Sequence, residues 1–372
     1  MSERDFIIKS LRGEIIYQRN KTKDIQEDLR EEYEAKLSSE FEQITRLENE
    51  IKVLQQQLQV KEKTVSLSSG EGYHEKKTIP GVIILGMHRS GTSIVGGLMN
   101  KMGLSTGGPL IPPNFDNEKG FFERIDVVLQ NDEIMRKQNT YYSYRTYSYD
   151  SLQGIKSILT ETGKFFNEGK RALAFLNNPI NFPWMLKDPR LCITLRTWLP
   201  FLSSIPSILF TYRNPMDVAL SMNTRETEHF PIARGLKLWY IYNKRAIQQT
   251  QDLCRVVTSH KKMMSQPSIE LQRIYFELKE KCRVPVPHEV SQEDINDFID
   301  VNLQHGRTSL LDTYCADPST DFQSLSPPED KWKTDDPKHL QLYRSCVKLY
   351  CDLESFEAYE NGYQFDESIR DE

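Results

Sequence analysis

The chain has 372 residues, a formal net charge of -5 and 27% charged residues. This length allows one large globular domain with an appendage, and a hydrophobic share of 38% is typical of soluble proteins rather than of membrane spans. The negative net charge argues against a protein that coats nucleic acid, because such a protein needs a clustered positive field. Any anion-binding site must therefore be local.

The six cysteines are scattered without a Cys-x-x-Cys pair, which predicts neither a zinc site nor a dense disulfide framework. We therefore expect reduced thiols. The segment Met1–Asn20 carries charges throughout and has no apolar run of the length of a signal peptide or a membrane helix. Together these features predict a cytoplasmic protein without a membrane span.

The first 79 residues read as three segments. Residues 1–19 are predicted to be flexible, residues 20–65 a coiled-coil helix, and the Ser/Gly-rich residues 66–79 a linker. The helical segment lacks Pro and Gly, and gaps of three and four residues alternate between its apolar positions Ile44, Leu47, Ile51, Leu54 and Leu58. This a/d pattern favours an oligomerisation stalk, and hence a homo-oligomer. A single amphipathic helix folded back on the rest of the chain is the alternative.

From residue 80 onward, short apolar strands alternate with helices. The continuous apolar run Gly81–Leu85 is typical of a strand buried on both faces of a parallel sheet. Further strands are predicted at 184–186, 207–212 and 255–258, and helices at 92–102, after Asp188, after Asn214, at about 234–253 and at about 338–359. We expect an α/β domain over residues 80–308, with a P-loop-type parallel sheet flanked by helices, followed by a C-terminal loop and helix over 309–372. Its ligand site should lie at the carboxyl ends of the strands.

The segment Gly86–Ser93 reads GMHRSGTS and lies between the first strand and its helix. A strand, a Gly-containing loop and a helix, in that order, are typical of a phosphate-binding loop. Thr92 stands where a nucleotide hydrolase has its lysine, and the cation, Arg89, comes earlier. The loop therefore suits a phosphate-bearing donor better than ATP hydrolysis with magnesium. Simple helix capping is the alternative for Ser90–Ser93.

Three further stretches follow this loop in the chain: 110–123 (LIPPNFDNEKGFFE), 184–190 (WMLKDPR) and 210–221 (FTYRNPMDVALS). Together with GMHRSGTS they resemble the sulfotransferase superfamily, and in particular its bacterial-type branch, over about residues 80–307. The resemblance implies transfer of a sulfuryl group from 3′-phosphoadenosine-5′-phosphosulfate (PAPS) to a hydroxyl acceptor by in-line displacement, without a metal. Glycan, lipid and small-molecule hydroxyls all remain open, and the aromatic segment Tyr141–Tyr149 is either an acceptor surface or partly core and partly lid.

The resemblance also implies roles for individual residues. The first loop would bind the 5′-phosphosulfate through Arg89, Ser90, Gly91, Thr92 and Ser93. Arg213 and Ser221 match the pair that binds the 3′-phosphate, against the alternative of a surface Arg and a packing Ser. Lys187 matches the lysine that reaches the transferring group, and a salt bridge with Asp188 is its alternative. Arg89 and Lys187 would stabilise charge on the departing phosphate, and Arg190 is a secondary candidate.

A neutral hydroxyl attacks sulfur poorly, so a base is needed, and Glu123 matches the family's base in placement. A glutamate in the first turn of a helix is also favoured by the helix dipole without any catalytic duty. Asp116 and His88 are the competitors for the base. The chain departs from the family at Ser259–Lys262, where Tyr and acidic residues are usual, and at Gln304, which puts contacts from the nearby His305 or Arg307 in doubt.

Two other function classes compete with the sulfotransferase hypothesis. A P-loop phosphotransferase would need ATP and magnesium, and the missing loop lysine speaks against it. A coiled-coil scaffold with an idle nucleotide-binding domain would have no need of Lys187, Arg213 and Ser221 together.

Overall fold

The computed structural model describes residues 81–114, 117–137, 167–225, 230–299, 310–317 and 319–369. The predicted stalk at 20–65, the linker at 66–79 and the aromatic segment at 141–149 lie outside the described residues, so they stay predictions. None of the described helices is long and apolar enough to cross a membrane.

The described part of the chain contains a parallel four-stranded sheet. Its strands are β1 (Val82–Leu85), β2 (Met185–Lys187), β3 (Ser207–Tyr212) and β4 (Arg255–Ser259), in the spatial order β2-β1-β3-β4. The predicted parallel α/β sheet is confirmed, and each strand lies within one residue of its predicted bounds. Because β2 and β3 flank β1 on opposite sides, the strand order reverses between β1 and β3, and such a switch point leaves a crevice at the carboxyl ends.

The central strand β1 shows why its sequence is continuously apolar. All four of its side chains are fully buried, with Val82 and Ile84 in the hydrophobic cluster on one face of the sheet and Ile83 and Leu85 in the cluster on the other. Successive side chains of a strand point to opposite faces, so a strand covered on both sides needs apolar residues at every position. The carboxyl end of β1 is thereby held rigidly where the loop begins.

Helices cover both faces of this sheet. Their bounds are α1 (Thr92–Lys101), α2 (Ile125–Lys137), α3 (Asn167–Leu176), α4 (Leu191–Trp198), α5 (Pro215–Arg225), α6 (Ile232–Gln249), α7 (His260–Ser265), α8 (Pro267–Phe276), α9 (Gln292–Phe298), α10 (Leu310–Ala316) and α11 (Pro337–Glu354). A π-helical turn follows α8 at Glu277–Lys281, and short 3-10 turns lie at Pro179–Asn181, Leu199–Phe201 and Glu357–Tyr359.

The two predicted proline-led helix starts have different outcomes. Asn214 caps α5 as predicted, since its Oδ1 accepts hydrogen bonds from the backbone N–H groups of Met216 and Asp217 at 2.9 and 3.3 Å. The helix predicted directly after Asp188 begins later, at Leu191, because the residues between form a turn in which the Leu191 N–H donates to the Asp188 carbonyl at 3.0 Å. The sequence located both helices but misjudged one first turn.

Two disulfides join Cys254 to Cys282 and Cys315 to Cys351, with Cα–Cα distances of 5.6 and 4.8 Å. The expectation of reduced thiols is therefore wrong for these four cysteines. The partners are 28 and 36 residues apart, so only the tertiary fold brings them together, and their spacing gives no signal. Because disulfides persist in oxidising compartments and are rare in the cytosol, the cytoplasmic prediction loses one of its grounds.

Candidate functional site

The loop between β1 and α1 has the backbone geometry of an anion-binding turn. A Cβ at Gly86 would lie 2.4 Å from the Thr211 carbonyl oxygen, so this glycine allows the ends of β1 and β3 to approach each other closely. Arg89 and Gly91 have left-handed backbones, with φ of 67° and 84°. Left-handed residues in a loop that leads into a helix turn backbone N–H groups toward one concave side, which is the geometry of an anion nest.

One buried hydroxyl of this loop lacks a partner within the part of the chain that the structure describes. The Ser90 hydroxyl is fully buried and has no hydrogen-bond partner there. The N-cap of α1, Gly91, supplies no side-chain cap, and the first turn contains no acidic residue. A buried hydroxyl and an uncapped helix N-terminus both fit an anion, because the first N–H groups of a helix have no partner within the helix itself.

A second group of donors lies where β1 and β3 end. The Arg89 Nε donates to Ser221 Oγ at 2.9 Å, and the Arg213 guanidinium donates to the Arg89 carbonyl at 3.4 Å. Trp239 fixes the backbone here by donating from its indole to the Arg213 carbonyl at 2.8 Å. The Arg213 Nε has no hydrogen-bond acceptor among the described residues, and its ion pair with Asp217 is long, at 3.8 Å. We call Arg89, Arg213 and Ser221 the arginine cluster.

A third group lies at the end of β2. The Lys187 ammonium donates to Glu123 Oε1 at 2.5 Å and to Ser93 Oγ at 3.3 Å. The Lys187 and Glu123 side chains are only 2% and 9% exposed. Arg190 approaches the other carboxylate oxygen, with 3.8 Å between its NH1 and Glu123 Oε2. We call Lys187, Glu123 and Ser93 the lysine cluster, and its buried charges are matched within the protein.

The backbone directly before Glu123 has an unusual conformation that packing holds in place. Phe122 has a left-handed φ of 56°, which costs about 1–3 kcal/mol for a residue other than glycine. Packing holds Phe122 there. It lies so close to Gly96 of α1 that a Cβ added to this glycine would be 3.2 Å from the Phe122 Cβ, and its ring centroid is 5.9 Å from that of Phe298. The Glu123 carbonyl accepts from the Ile111 N–H at 2.8 Å and so fixes the turn from the other side.

His260 is a site residue to which the sequence analysis gave no role. It begins α7 directly after β4, and a Cβ at Gly91 would lie 2.8 Å from its Cδ2, so its ring lies directly on the loop between β1 and α1. Burial, with a smaller effect of the nearby Arg213 charge, lowers the pKa of His260 to about 3. A neutral imidazole therefore borders the loop. Its position directly after a strand of the same sheet is the signal in the sequence that points to it.

Six of the candidate residues of the sequence analysis fall into the two clusters, and the segment 86–93 contributes one residue to each, Arg89 and Ser93. Thr92 is buried below the loop, where its methyl group would lie 2.7 Å from a Cβ at Gly86. His88, a competitor for the base, lies beside Tyr242, with 5.8 Å between ring centroids. Asp116, the other competitor, lies outside the described residues, as do Gln304, His305 and Arg307.

No protein-family model matches this chain, and no curated protein matches it. Among solved structures, the sulfotransferase domain of the Synechococcus PCC 7002 olefin synthase aligns at 13% identity over 80% of this chain and 100% of its own, with a TM-score of 0.33. The sulfotransferase domain of the curacin biosynthetic pathway aligns at 14% identity over 79% and 96%, with a TM-score of 0.32. Retinol dehydratase, solved with androsterone and the inactive cofactor PAP, aligns at 9% identity over 77% and 83%, with a TM-score of 0.29. TM-scores of this size do not establish a common fold.

Proposed function

We propose that this protein transfers a sulfuryl group from PAPS to a hydroxyl acceptor. The observation that supports this function is the convergence of the arginine cluster and the lysine cluster on one phosphate-binding loop. PAPS has two separate anionic ends, a 3′-phosphate and a 5′-phosphosulfate, so its binding needs two cationic positions. Arg213 after β3 and Lys187 at the end of β2 are the candidates for these two positions, at the sheet edge where ligands of such folds usually bind.

The donor is proposed to lie along the loop. The loop N–H groups and the partnerless Ser90 hydroxyl suit the 5′-phosphosulfate. Arg213 and Ser221 suit the 3′-phosphate, and the side chain of Arg89 lies with them at 2.9 Å from Ser221. We therefore assign the Arg89 guanidinium to the 3′-phosphate end, although the resemblance implied a role at the departing phosphate. Guanidinium groups suit this task because they bind phosphate oxygens in a bidentate manner.

The lysine cluster is proposed to carry the chemistry. Glu123 accepts the proton of the acceptor hydroxyl. The oxygen of that hydroxyl bonds to sulfur while the bond between sulfur and the 5′-phosphate oxygen breaks. Lys187 contacts Ser93 of the loop at 3.3 Å, so its ammonium can donate to that oxygen and stabilise the charge that develops there. The products are the sulfated acceptor and 3′-phosphoadenosine-5′-phosphate (PAP). Carbohydrate hydroxyls are one candidate acceptor class.

Calorimetry tests the donor assignment. We expect PAP to bind about 10- to 100-fold more tightly than adenosine 5′-phosphate, because charge-assisted hydrogen bonds to the 3′-phosphate add to its affinity. The Arg213→Ala variant should lose most of this preference, whereas Arg196→Ala, which removes an arginine paired with the exposed Asp252, should keep it. Equal affinities for the two nucleotides would contradict the proposal, and tighter binding of ATP with magnesium would favour a phosphotransferase.

Labelled PAPS offered to a panel of glycan, lipid and small-molecule hydroxyls tests the activity itself. We expect label to move to at least one acceptor. Tight PAP binding without any transfer would favour the scaffold with an idle domain.

A further inference from the structure

Arg190 belongs to a buried polar network behind the lysine cluster. Asp188 is fully buried, and its Oδ1 accepts from both the backbone N–H and the guanidinium of Arg190 at 3.0 Å. Its Oδ2 accepts from Asn131 Nδ2 at 2.8 Å. The Asn131 carbonyl oxygen in turn accepts from Thr194 and from the indole of Trp198, both at 2.8 Å. A buried network in which every group has a partner is rigid, so it fixes Asp188.

Two carboxylates then fix the direction of the Arg190 side chain. Asp188 holds its NH1, and Asp132 on α2 accepts from its Nε at 2.7 Å. Between these contacts the guanidinium faces Glu123, with 3.8 Å from NH1 to Oε2. Burial alone would lower the pKa of Arg190, but the charges of Asp188, Asp132 and Glu123 raise it above its ordinary value. Arg190 is therefore a permanent cation in a fixed position.

Lys187, in contrast, has two tasks. It pairs with Glu123 and also reaches the loop through Ser93. If it turns toward a bound donor, the buried Glu123 carboxylate loses its nearest cation, and a buried carboxylate without a counter-charge is unstable. Arg190 cannot follow Lys187, because Asp188 and Asp132 hold it. It is the cation that stays beside Glu123.

We propose that Arg190 is a positioning residue, which keeps a cation beside the Glu123 carboxylate and orients it while Lys187 engages the donor. Asp188 and Asp132 hold Arg190 for this task, and Asn131 fixes Asp188. The inference rests on the proposed function, because it takes Glu123 as the base.

A double-mutant cycle tests this inference. The kcat is measured with saturating PAPS and an acceptor that the labelled-PAPS panel identifies. It is compared in the wild-type protein, Arg190→Gln, Glu123→Gln and the double variant. We expect Arg190→Gln to lower kcat about tenfold without changing PAP affinity, and to cause less than about a twofold further loss in the Glu123→Gln background, because residues that act through one another are not additive. Arg190→Lys keeps the charge and should restore part of kcat.

Two additional variants keep the test decisive. Arg196 lies on α4, the helix that directly follows Arg190, and pairs with Asp252 away from Glu123, so Arg196→Gln should leave kcat unchanged. Asp132→Asn loosens Arg190 at a side chain that is 31% exposed, so the protein should fold even where Arg190→Gln does not. We expect it to lower kcat about threefold, again with no further loss beside Glu123→Gln.

The outcomes separate this inference from the proposed function. One cycle pairs Arg190→Gln with Glu123→Gln, and the other pairs Asp132→Asn with Glu123→Gln. If the losses of kcat multiply in both cycles, Arg190 has a structural role and the inference is overturned, while Glu123 remains the base. Full turnover in Glu123→Gln would instead overturn the base assignment on which the inference rests.

Discussion

The lysine cluster and the arginine cluster lie at the same sheet edge but are built differently. The Lys187 and Glu123 side chains are almost fully buried and neutralise each other, whereas the Arg213 side chain is 30% exposed and its ion pair with Asp217 is long, at 3.8 Å. Buried charges must be matched within the protein, because water cannot solvate them. A partly exposed arginine stays solvated until it binds an anion, so its charge costs little free energy before binding.

The difference in burial predicts different roles for the two clusters. Electrostatic interactions are strong in the lysine cluster, because it is buried and the local dielectric is low. That cluster therefore suits the proposed transfer of a proton and a sulfuryl group. The arginine cluster suits reversible binding. Changes in the lysine cluster should therefore affect turnover and stability, and changes in the arginine cluster should affect nucleotide affinity.

The largest expected effect is that of Glu123→Gln on turnover. Loss of a general base lowers kcat about 10²- to 10⁴-fold, while the arginine cluster and the loop keep PAP affinity near that of the wild type. Single-turnover assays with labelled PAPS and calorimetry with PAP measure the two quantities. Glu118→Gln, an exposed glutamate of the same segment, is the matched control and should leave both unchanged. A parallel loss of PAP affinity in Glu123→Gln would contradict the division of tasks.

The next effect concerns stability. Lys187→Met leaves the Glu123 carboxylate with less counter-charge in a buried site, so we expect the free energy of unfolding to fall by about 3–5 kcal/mol. Arg213→Ala removes a partly exposed charge with a weak partner and should cost less than about 1 kcal/mol. Urea unfolding followed by circular dichroism measures both variants. Similar losses in the two would remove the contrast between the clusters.

A smaller effect should come from outside both clusters. Opening the disulfide between Cys315 and Cys351 by a double Ser substitution should lower the free energy of unfolding by on the order of 3–4 kcal/mol, since it closes a loop of 36 residues. PAP affinity should not change. Thiol labelling of the unreduced, denatured protein should modify two cysteines, Cys192 and Cys346. Labelling of all six would contradict both disulfides.

Local signals in the sequence were sufficient for the elements around the site. The apolar runs of β1 and β3, the helix α1 and the Asn214 cap all depend on residues within a few positions of each other. The loop 86–93, Lys187 and Arg213 each stand at or directly after the end of a strand, and the carboxyl ends of parallel strands share one edge. The sequence therefore places these candidate residues together, whereas Glu123 follows no strand. The first turn of α4 was misjudged because Asp188 binds Arg190 within a turn before the helix.

Only the tertiary structure decided which side chains meet. Lys187 pairs with Glu123 across 64 residues and Arg89 with Ser221 across 132 residues, and no local pattern encodes either contact. The same holds for the two disulfides and for the His260 ring on Gly91. Sequence periodicity reports how a segment is buried, whereas the partner of a side chain depends on the order of the strands and on the packing of elements far apart in the chain.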